Sequence, residues 1–483
     1  MNKINNLPAS PFLLTVLVLF IVSRLGYLNL PFYWDEAWSY GTAIFDMAGK
    51  DLAILPGDAN PDLTRGHPLL FYFLSALWVK IFGANLAMVH IFPLLISTSF
   101  LVAAFILARS LFGNFVAMAA VLLLSLQSVF LAQSTQLLPE VMLALWTLLS
   151  AYAYFTKKWA LFVLFSSLLI LTKETGMVFL VTLFLDKIVL ERYFADSHKE
   201  SGYPLLRELA FMIIPVVIFV ASLVIQKVRS GYYLYPEHLK LAITEPHEVV
   251  HRFLLFLYTL LFQHGRFVFF AISSIAFISL SCKSSVSRHS MHWLIFSALF
   301  ITCYLAFASV NFFTTRYLLS VFPFFFIPGS WLITEFIRTK WLITTSFAAL
   351  ITLFSWCALK CNRNEQDTSL GYKNTVLLQK QAINHIEEMD CQNKPIYATF
   401  LMQYYMSIPK LGYLHHRDKP FLHVSNHTGI TNDVYIFCSN EPDPIHAVIS
   451  INKAYFLNER LESKGAWVEI YQKKNLTFDR VTK

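Results

Sequence analysis

Five short constellations carry side chains able to act on a charged or hydroxylic substrate. The first is Tyr33-Trp34-Asp35-Glu36-Ala37-Trp38-Ser39-Tyr40, two adjacent carboxyl groups set among aromatics. Partial desolvation raises the basicity of a carboxylate and suits it to general-base work. The plainer reading is that Asp35 caps a helix over 36–48. The second is Arg65-Gly66-His67-Pro68-Leu69-Leu70-Phe71-Tyr72. Pro68 suits a first helical turn, which would place Arg65 and His67 where backbone N–H groups favour an anion. The alternative is a solvated loop leading into an aromatic interfacial helix. In Gln136-Leu137-Leu138-Pro139-Glu140 a carboxylate stands at the mouth of an apolar run. That is costly in lipid, though favourable to a helix dipole. Lys173 and Glu174 interrupt two apolar runs in Leu171-Thr172-Lys173-Glu174-Thr175-Gly176, either as reactive groups or as a self-neutralising turn. In Thr314-Thr315-Arg316-Tyr317-Leu318-Leu319, Arg316 reads as a phosphate clamp or as a snorkelling anchor.

The elements that must position these groups follow from composition. Of 483 residues, 56% are hydrophobic and 14% charged, with mean hydropathy +0.54. Soluble proteins carry about a quarter charged residues, so the class is a polytopic α-helical membrane protein. Residues 1–360 hold 24 Lys/Arg against 17 Asp/Glu, whereas 361–483 hold 14 against 13. The basic excess therefore sits in the apolar part, where cytoplasmic loops explain it and nucleic acid does not. The balanced tail reads as a separate small α/β domain, extracytoplasmic if the spans are counted as below.

Apolar runs fall near 11–30, 86–108, 115–133, 140–156, 159–172, 176–190, 209–226, 266–282, 292–310, 317–337 and 341–359. The first reads as an uncleaved span, since no small-residue cleavage site follows it. Segments 67–82 and 253–264 are apolar but short, and either crosses or lies in the interface. If 67–82 lies flat and the N-terminus is cytoplasmic, Arg109, Lys157, Lys158, Lys187, Arg192, Lys199, Arg207, Lys283, Arg288, Arg338 and Lys340 all fall inside. That gives about eleven spans (range 10 to 13), a first outer loop over 31–85 and an outer tail. The same count collects acids on the outer face: six lie in 31–66, with Glu140 and Glu174 on the same side.

In the tail, 374–389 has helical periodicity. Residues 395–400, 434–438, 446–451 and 467–472 read as short strands, and 454–463 as a second helix ending near Gly465. The six cysteines form no metal pattern. A bridge among Cys361, Cys391 and Cys438 is chemically allowed if the tail is extracytoplasmic. Asn426-His427-Thr428 and Asn475-Leu476-Thr477 are glycosylation acceptors only in a suitable host.

The order of the five constellations resembles the GT-C glycosyltransferases over about residues 10–340. Within them it is most similar to the dolichyl-phosphate-mannose protein mannosyltransferases, the bacterial aminoarabinose transferase and the lipopolysaccharide galacturonosyl transferases. The resemblance implies a membrane catalytic domain over 1–360 and an extracytoplasmic α/β domain over 361–483. It implies a polyprenyl-phosphate sugar donor, and a lipid, glycan or protein acceptor on the outer face of the inner or plasma membrane. By motif position Asp35 takes the role of the first-loop catalytic Asp, Glu36 is its partner, and Glu140 stands where many members have Asp. His67 stands where the aminoarabinose transferase has Lys beside a Glu, and Gly66 replaces that Glu, so the acid–cation pair of that site does not carry over. Arg65, His67, Lys173 and Arg316 are the cations available to stabilise a leaving phosphate. One leaving phosphate does not demand a metal, although Asp35, Glu140 and nearby His offer ligands for a divalent cation. A transporter or lipid flippase is the alternative. It would place ionisable residues near mid-span, where Arg24, His90 and Lys187 are the candidates. A non-catalytic scaffold is the third reading.

Overall fold

The computed structural model describes residues 9–194, 202–283, 286–311, 313–360, 366–389, 391–415, 419–427 and 432–474. Lys199, Cys361, Thr428 and the segment 475–477 lie outside them. Cys391 and Cys438 are both buried in the tail.

Each apolar run is a helix. Ala9–Arg24 comes first, then Leu86–Phe112, Asn114–Ser125 continued by Ser128–Gln133, Glu140–Phe155, Trp159–Thr172 and Met177–Leu185. Gly202–Ser230, Arg266–Cys282, Arg288–Ser309, Phe322–Ile337 and Lys340–Lys360 complete the bundle. Leu86–Phe112, Leu205–Ser230, Pro246–Cys282, Arg288–Ser309 and Lys340–Lys360 are long and apolar enough to cross a bilayer by length and composition alone.

The two ambiguous segments are both helical, Leu70–Phe82 and Pro246–Phe262, and each is tied at its ends to neighbouring elements. The helix Leu70–Phe82 starts beside His67, which meets Glu174 at 3.0 Å. At its far end Lys80 Nζ donates to the Lys50 carbonyl at 3.0 Å and Trp78 Nε1 to that of Met88 at 2.7 Å. Leu86 then abuts Gly412 of the tail. The helix Pro246–Phe262 behaves alike. Just before it, Ile243 N donates to the Val310 carbonyl at 2.8 Å, and Arg252 donates to that of Asn311. After it the chain turns through His264 and Gly265, at φ 53° and 81°, against Leu353 and Cys357 near the tail end of Lys340–Lys360. A left-handed non-glycine residue breaks the helical run there. The loop after the first helix shares its face with the tail.

At the opposite face a second set of charges ties span ends together. Asp186 is fully buried, accepting from Tyr154 Oη at 2.8 Å and lying 2.6 Å from His292 Nε2. Lys187 pairs with Glu191 and Glu208.

The tail is a five-stranded sheet in the order β2-β1-β3-β5-β4, with β1 Ile396–Ala398, β2 Val424–Ser425, β3 Val434–Cys438, β4 Tyr455–Ser463 and β5 Ala466–Lys473. β1 is parallel to β2 and β3; β5 is antiparallel to β3 and β4. The helix Tyr372–Glu388 falls where periodicity places it. Two tail assignments are corrected. Residues 446–451 belong to a helix, Pro444–Ile451, which Asp443 caps by accepting from Ile445 N while Pro444 opens its first turn. Residues 454–463 are not a helix but β4. Lys464 and Gly465, at φ 52° and 96°, form the tight turn that folds it back onto β5.

The tail docks on the first loop. Tyr405 Oη accepts from Trp34 N at 3.3 Å, the Leu411 carbonyl accepts from Phe32 N at 3.0 Å, and Asn440 Nδ2 donates to Tyr33 Oη at 3.2 Å. Both sides contribute to one apolar cluster that includes Phe32, Tyr33, Leu86, Ile383 and Tyr405.

Candidate active site

Asp35 does not cap the helix that follows it. Its neighbours run on into a widened helical stretch, Glu36–Gly41, and Asp35 itself has helical φ and ψ with no side-chain cap bond. Instead Oδ1 accepts from Trp38 Nε1 at 3.0 Å and Oδ2 from Arg316 Nη2. Residues 35 and 36 point apart because adjacent helical positions do not share a face. Glu36 is buried, with Oε1 3.1 Å from His90 Nε2 and accepting from Leu137 N at 2.6 Å. It fastens the first loop to two spans and does not line the cavity.

Arg316 sits in a tight turn, Thr315–Ser320, ahead of the penultimate span. It is buried rather than snorkelling, 4% exposed, and meets three carboxylates. Beyond Asp35, its Nε lies 3.3 Å from Glu140 Oε1, and its Nη1 donates to Asp367 Oδ2 at 2.6 Å. Glu140 opens its helix and also accepts from Lys173 Nζ at 2.9 Å. The ammonium of Lys173 lies 5.1 Å from the Tyr317 ring centroid, a cation–π contact. Lys173 and Glu174 therefore do not neutralise each other; they face different partners.

Glu174 pairs with His67 at 3.0 Å. Burial would push this carboxyl up, but the His67 charge and hydrogen bond hold it down at about 2. The His67 ring stacks on Tyr40 and lies 4.9 Å, centroid to centroid, from His238. Burial, reinforced by His67, pushes His238 down to about 4. One ligand atom from each of His67, Glu174 and His238 falls within 4.8 Å of the others. Two imidazoles and a carboxylate suit a borderline transition metal better than magnesium. Arg65 stacks over Trp38 at 4.7 Å and reaches Glu237 at 3.3 Å.

These groups border one cavity of about 590 Å³. Asp35, Arg65, His67, Lys173 and Arg316 line it, with Glu140 behind the two cations. One wall, including Phe219, Leu223, Leu239 and Phe307, is apolar. Glu174, His238 and Asp367 are the groups that sequence reasoning did not assign to the site. The Glu174–Lys173 adjacency concealed the first. Asp367 carries no local signal, standing 51 residues beyond Arg316.

Residues 66–223 match the dolichyl-phosphate-mannose-protein mannosyltransferase family, a stretch that holds His67, Glu140 and Lys173 but neither Asp35 nor Arg316. No curated protein matches the sequence. The apo structure of ArnT from Cupriavidus metallidurans aligns over 96% of this chain and 98% of its own, with TM-score 0.55 and 10% identity. ArnT bound to undecaprenyl phosphate aligns over 95% and 97%, with TM-score 0.55 and 12% identity. The apo oligosaccharyltransferase of Archaeoglobus fulgidus aligns over 86% of this chain and 65% of its own, with TM-score 0.50 and 10% identity. At these identities the likeness is one of fold.

Proposed function

We propose that this chain, a multi-pass membrane protein with the GT-C fold, is a glycosyltransferase that takes its sugar from a polyprenyl-phosphate donor. The observation that carries the reading is the meeting of Asp35, Arg316 and Lys173 at one cavity with an apolar wall. A lipid-phosphate sugar needs those parts: a surface for the isoprenoid, cations for the phosphate and a base for the acceptor. ArnT, which has this fold, has been solved with undecaprenyl phosphate bound.

In the proposed reaction an acceptor hydroxyl oxygen attacks the anomeric carbon while the bond from that carbon to the phosphate oxygen breaks. The proton passes to Asp35, and the polyprenyl phosphate leaves with an added negative charge. Arg316 and Lys173 stabilise that charge, with His67 and Arg65 lining the same cavity. A single displacement inverts the anomeric centre. Both Asp35 oxygens are engaged, by Trp38 and Arg316. Each carboxylate oxygen keeps a second lone pair, which leaves Asp35 able to take the acceptor proton. The acceptor is a lipid, glycan or protein hydroxyl. The cavity face is extracytoplasmic, with the N-terminus cytoplasmic, which puts Arg109, Lys157, Lys158, Arg207 and Lys283 inside. In this reading 1–360 is the catalytic domain and 361–483 the extracytoplasmic one.

The transporter reading is weaker for a specific reason. Its candidate charges are each held in separate contacts: Arg24 by the Leu131 carbonyl, His90 by Glu36, and Lys187 by Glu191 and Glu208. None belongs to a shared midplane site.

The decisive test is Asp35→Asn in membranes or reconstituted vesicles, read as sugar transferred from a labelled undecaprenyl-phosphate sugar. A general base contributes roughly 10²–10⁴-fold, so transfer falls by that much at normal expression. Unchanged transfer would remove Asp35 from the chemistry.

A further inference from the structure

The centre around Arg316 is already anionic before a substrate arrives. Asp35, Glu140 and Asp367 face Arg316 and Lys173, three carboxylates against two cations. A phosphodiester brings one more negative charge into a buried setting, where an uncompensated charge is expensive. One carboxylate has to yield.

Asp367 is the one built to yield. It comes from the short segment that joins the last span to the tail, with Thr368, Ser369 and Leu370 buried beside it. Its backbone carbonyl is held independently of its side chain, accepting from Gln133 Nε2 at 2.9 Å and Gln136 Nε2 at 3.0 Å. The carboxyl can therefore turn off Arg316 while the segment stays in place. Asp35 and Glu140 lack that freedom, since each is also bonded to a second side chain, Trp38 or Lys173.

We propose that Asp367 is a built-in stand-in for the donor phosphate. In the empty site its carboxylate occupies Arg316 Nη1, and the entering phosphodiester displaces it as one proton from solvent neutralises it. The proposal rests on the reading above that Arg316 receives the phosphate. It makes the junction with the tail a positioning element of the site, because the side chain that holds the Arg316 fork open is supplied from outside the bundle. The charged groups facing Asp367 are Arg316 from the turn Thr315–Ser320, Asp35 from the first loop and Glu140 from its span. Burial pushes the Asp367 carboxyl up to about 6; Arg316 opposes this, and Asp35 and Glu140 add to it. A proton is thus within reach near neutral pH.

The test is binding of farnesyl methyl phosphate to the purified full chain in detergent from pH 5.5 to 7.5. This probe carries a single charge that does not titrate in that range. Where only the protonated form is competent, apparent affinity falls with its fraction, so wild-type binding weakens roughly tenfold or more as pH rises. Asp367→Asn should bind the probe with little pH dependence and roughly tenfold tighter than wild type at pH 7.5. Asp367→Glu, which restores the charge, should restore the slope. A flat wild-type profile overturns the proposal without any variant. So does a D367N profile as steep as wild type, or a D367N variant that binds more weakly throughout, which would mean Asp367 only orients Arg316. Arg316→Gln separates the two levels. Undiminished binding by R316Q refutes the phosphate-binding reading itself; lost binding by R316Q beside a flat wild-type profile refutes only the role of Asp367.

Discussion

Lys173 Nζ lies 2.9 Å from Glu140 Oε1, across two helices, with both side chains almost wholly withdrawn from solvent. Removing one partner of such a pair leaves the other charged and poorly compensated, at a cost of about 3–5 kcal/mol. Glu140 keeps Arg316 as a second partner at 3.3 Å, which places Lys173→Met at the low end, about 3 kcal/mol. Lys173→Arg should hold stability to within about 1 kcal/mol. Thermal unfolding in detergent checks both. A melting temperature unmoved by K173M would mean that the pair is not formed in the folded protein.

Glu36 and Asp35 are neighbours with different tasks. Glu36 bonds His90 and Leu137 N, away from the cavity, so its loss should be felt in stability. Glu36→Ala should cost about 1–3 kcal/mol for the buried groups it leaves unsatisfied, while the KM for donor in the folded fraction stays within twofold. His90→Ala combined with E36A should be less than additive, because both remove one contact. A fall in kcat with unchanged stability for E36A would return Glu36 to the chemistry.

Much of the bundle was legible because hydropathy is local. Every apolar run is a helix, and the two short segments are helices as well, tied at their ends to neighbouring elements. The tail was harder. Tyr455–Ser463 reads as a helix from its Leu, Glu and Arg content, and only the left-handed turn at Lys464-Gly465 commits it to a hairpin. In the site, the cations were legible as charges out of place in apolar surroundings. Asp35 and Glu140 were legible as well, but two of the other partners were not. Glu174 lies 107 residues from His67, and Asp367 51 residues from Arg316, so each meeting depends on tertiary packing that no local pattern reports.

Gly66 holds the cavity wall close. Its φ is +66°, and a Cβ there would lie 2.9 Å from Tyr235 Cβ. Gly66→Ala therefore meets both a left-handed backbone penalty of about 1–2 kcal/mol and a clash with a neighbour on the facing loop. The expected result is a loss of stability of that size and a donor KM raised several-fold. Adding Tyr235→Gly should recover the KM but not the stability, since only the clash is relieved. If the double variant recovers neither, the two residues are not in contact.

One phosphate leaves in the proposed reaction, so its charge count makes no call on a divalent cation. His67, Glu174 and His238 nonetheless bring ligand atoms within 4.8 Å of one another. Treatment with EDTA followed by desalting should leave the transfer rate within twofold. A loss of more than tenfold, restored by zinc or manganese and absent in Glu174→Gln, would assign a required ion to those side chains.

Glu441 makes a pH-dependent contribution to the tail. Its carboxyl accepts from Leu401 N at 2.8 Å and Thr399 Oγ1 at 3.1 Å, yet burial pushes it up to about 7. Below the ordinary carboxylate value of 4.5 the folded and unfolded chains both hold the proton. Between there and about 7 the folded chain keeps a proton that the unfolded chain releases, so stability falls as pH rises through that window. Glu441→Gln is neutral at every pH and escapes the loss. It should therefore gain on wild type between pH 5 and pH 8, read as slower amide exchange in the helix Phe400–Ser407, whose Leu401 N the carboxyl holds. An exchange difference between E441Q and wild type that is the same at both pH values would mean that Glu441 is ionised in the folded tail throughout.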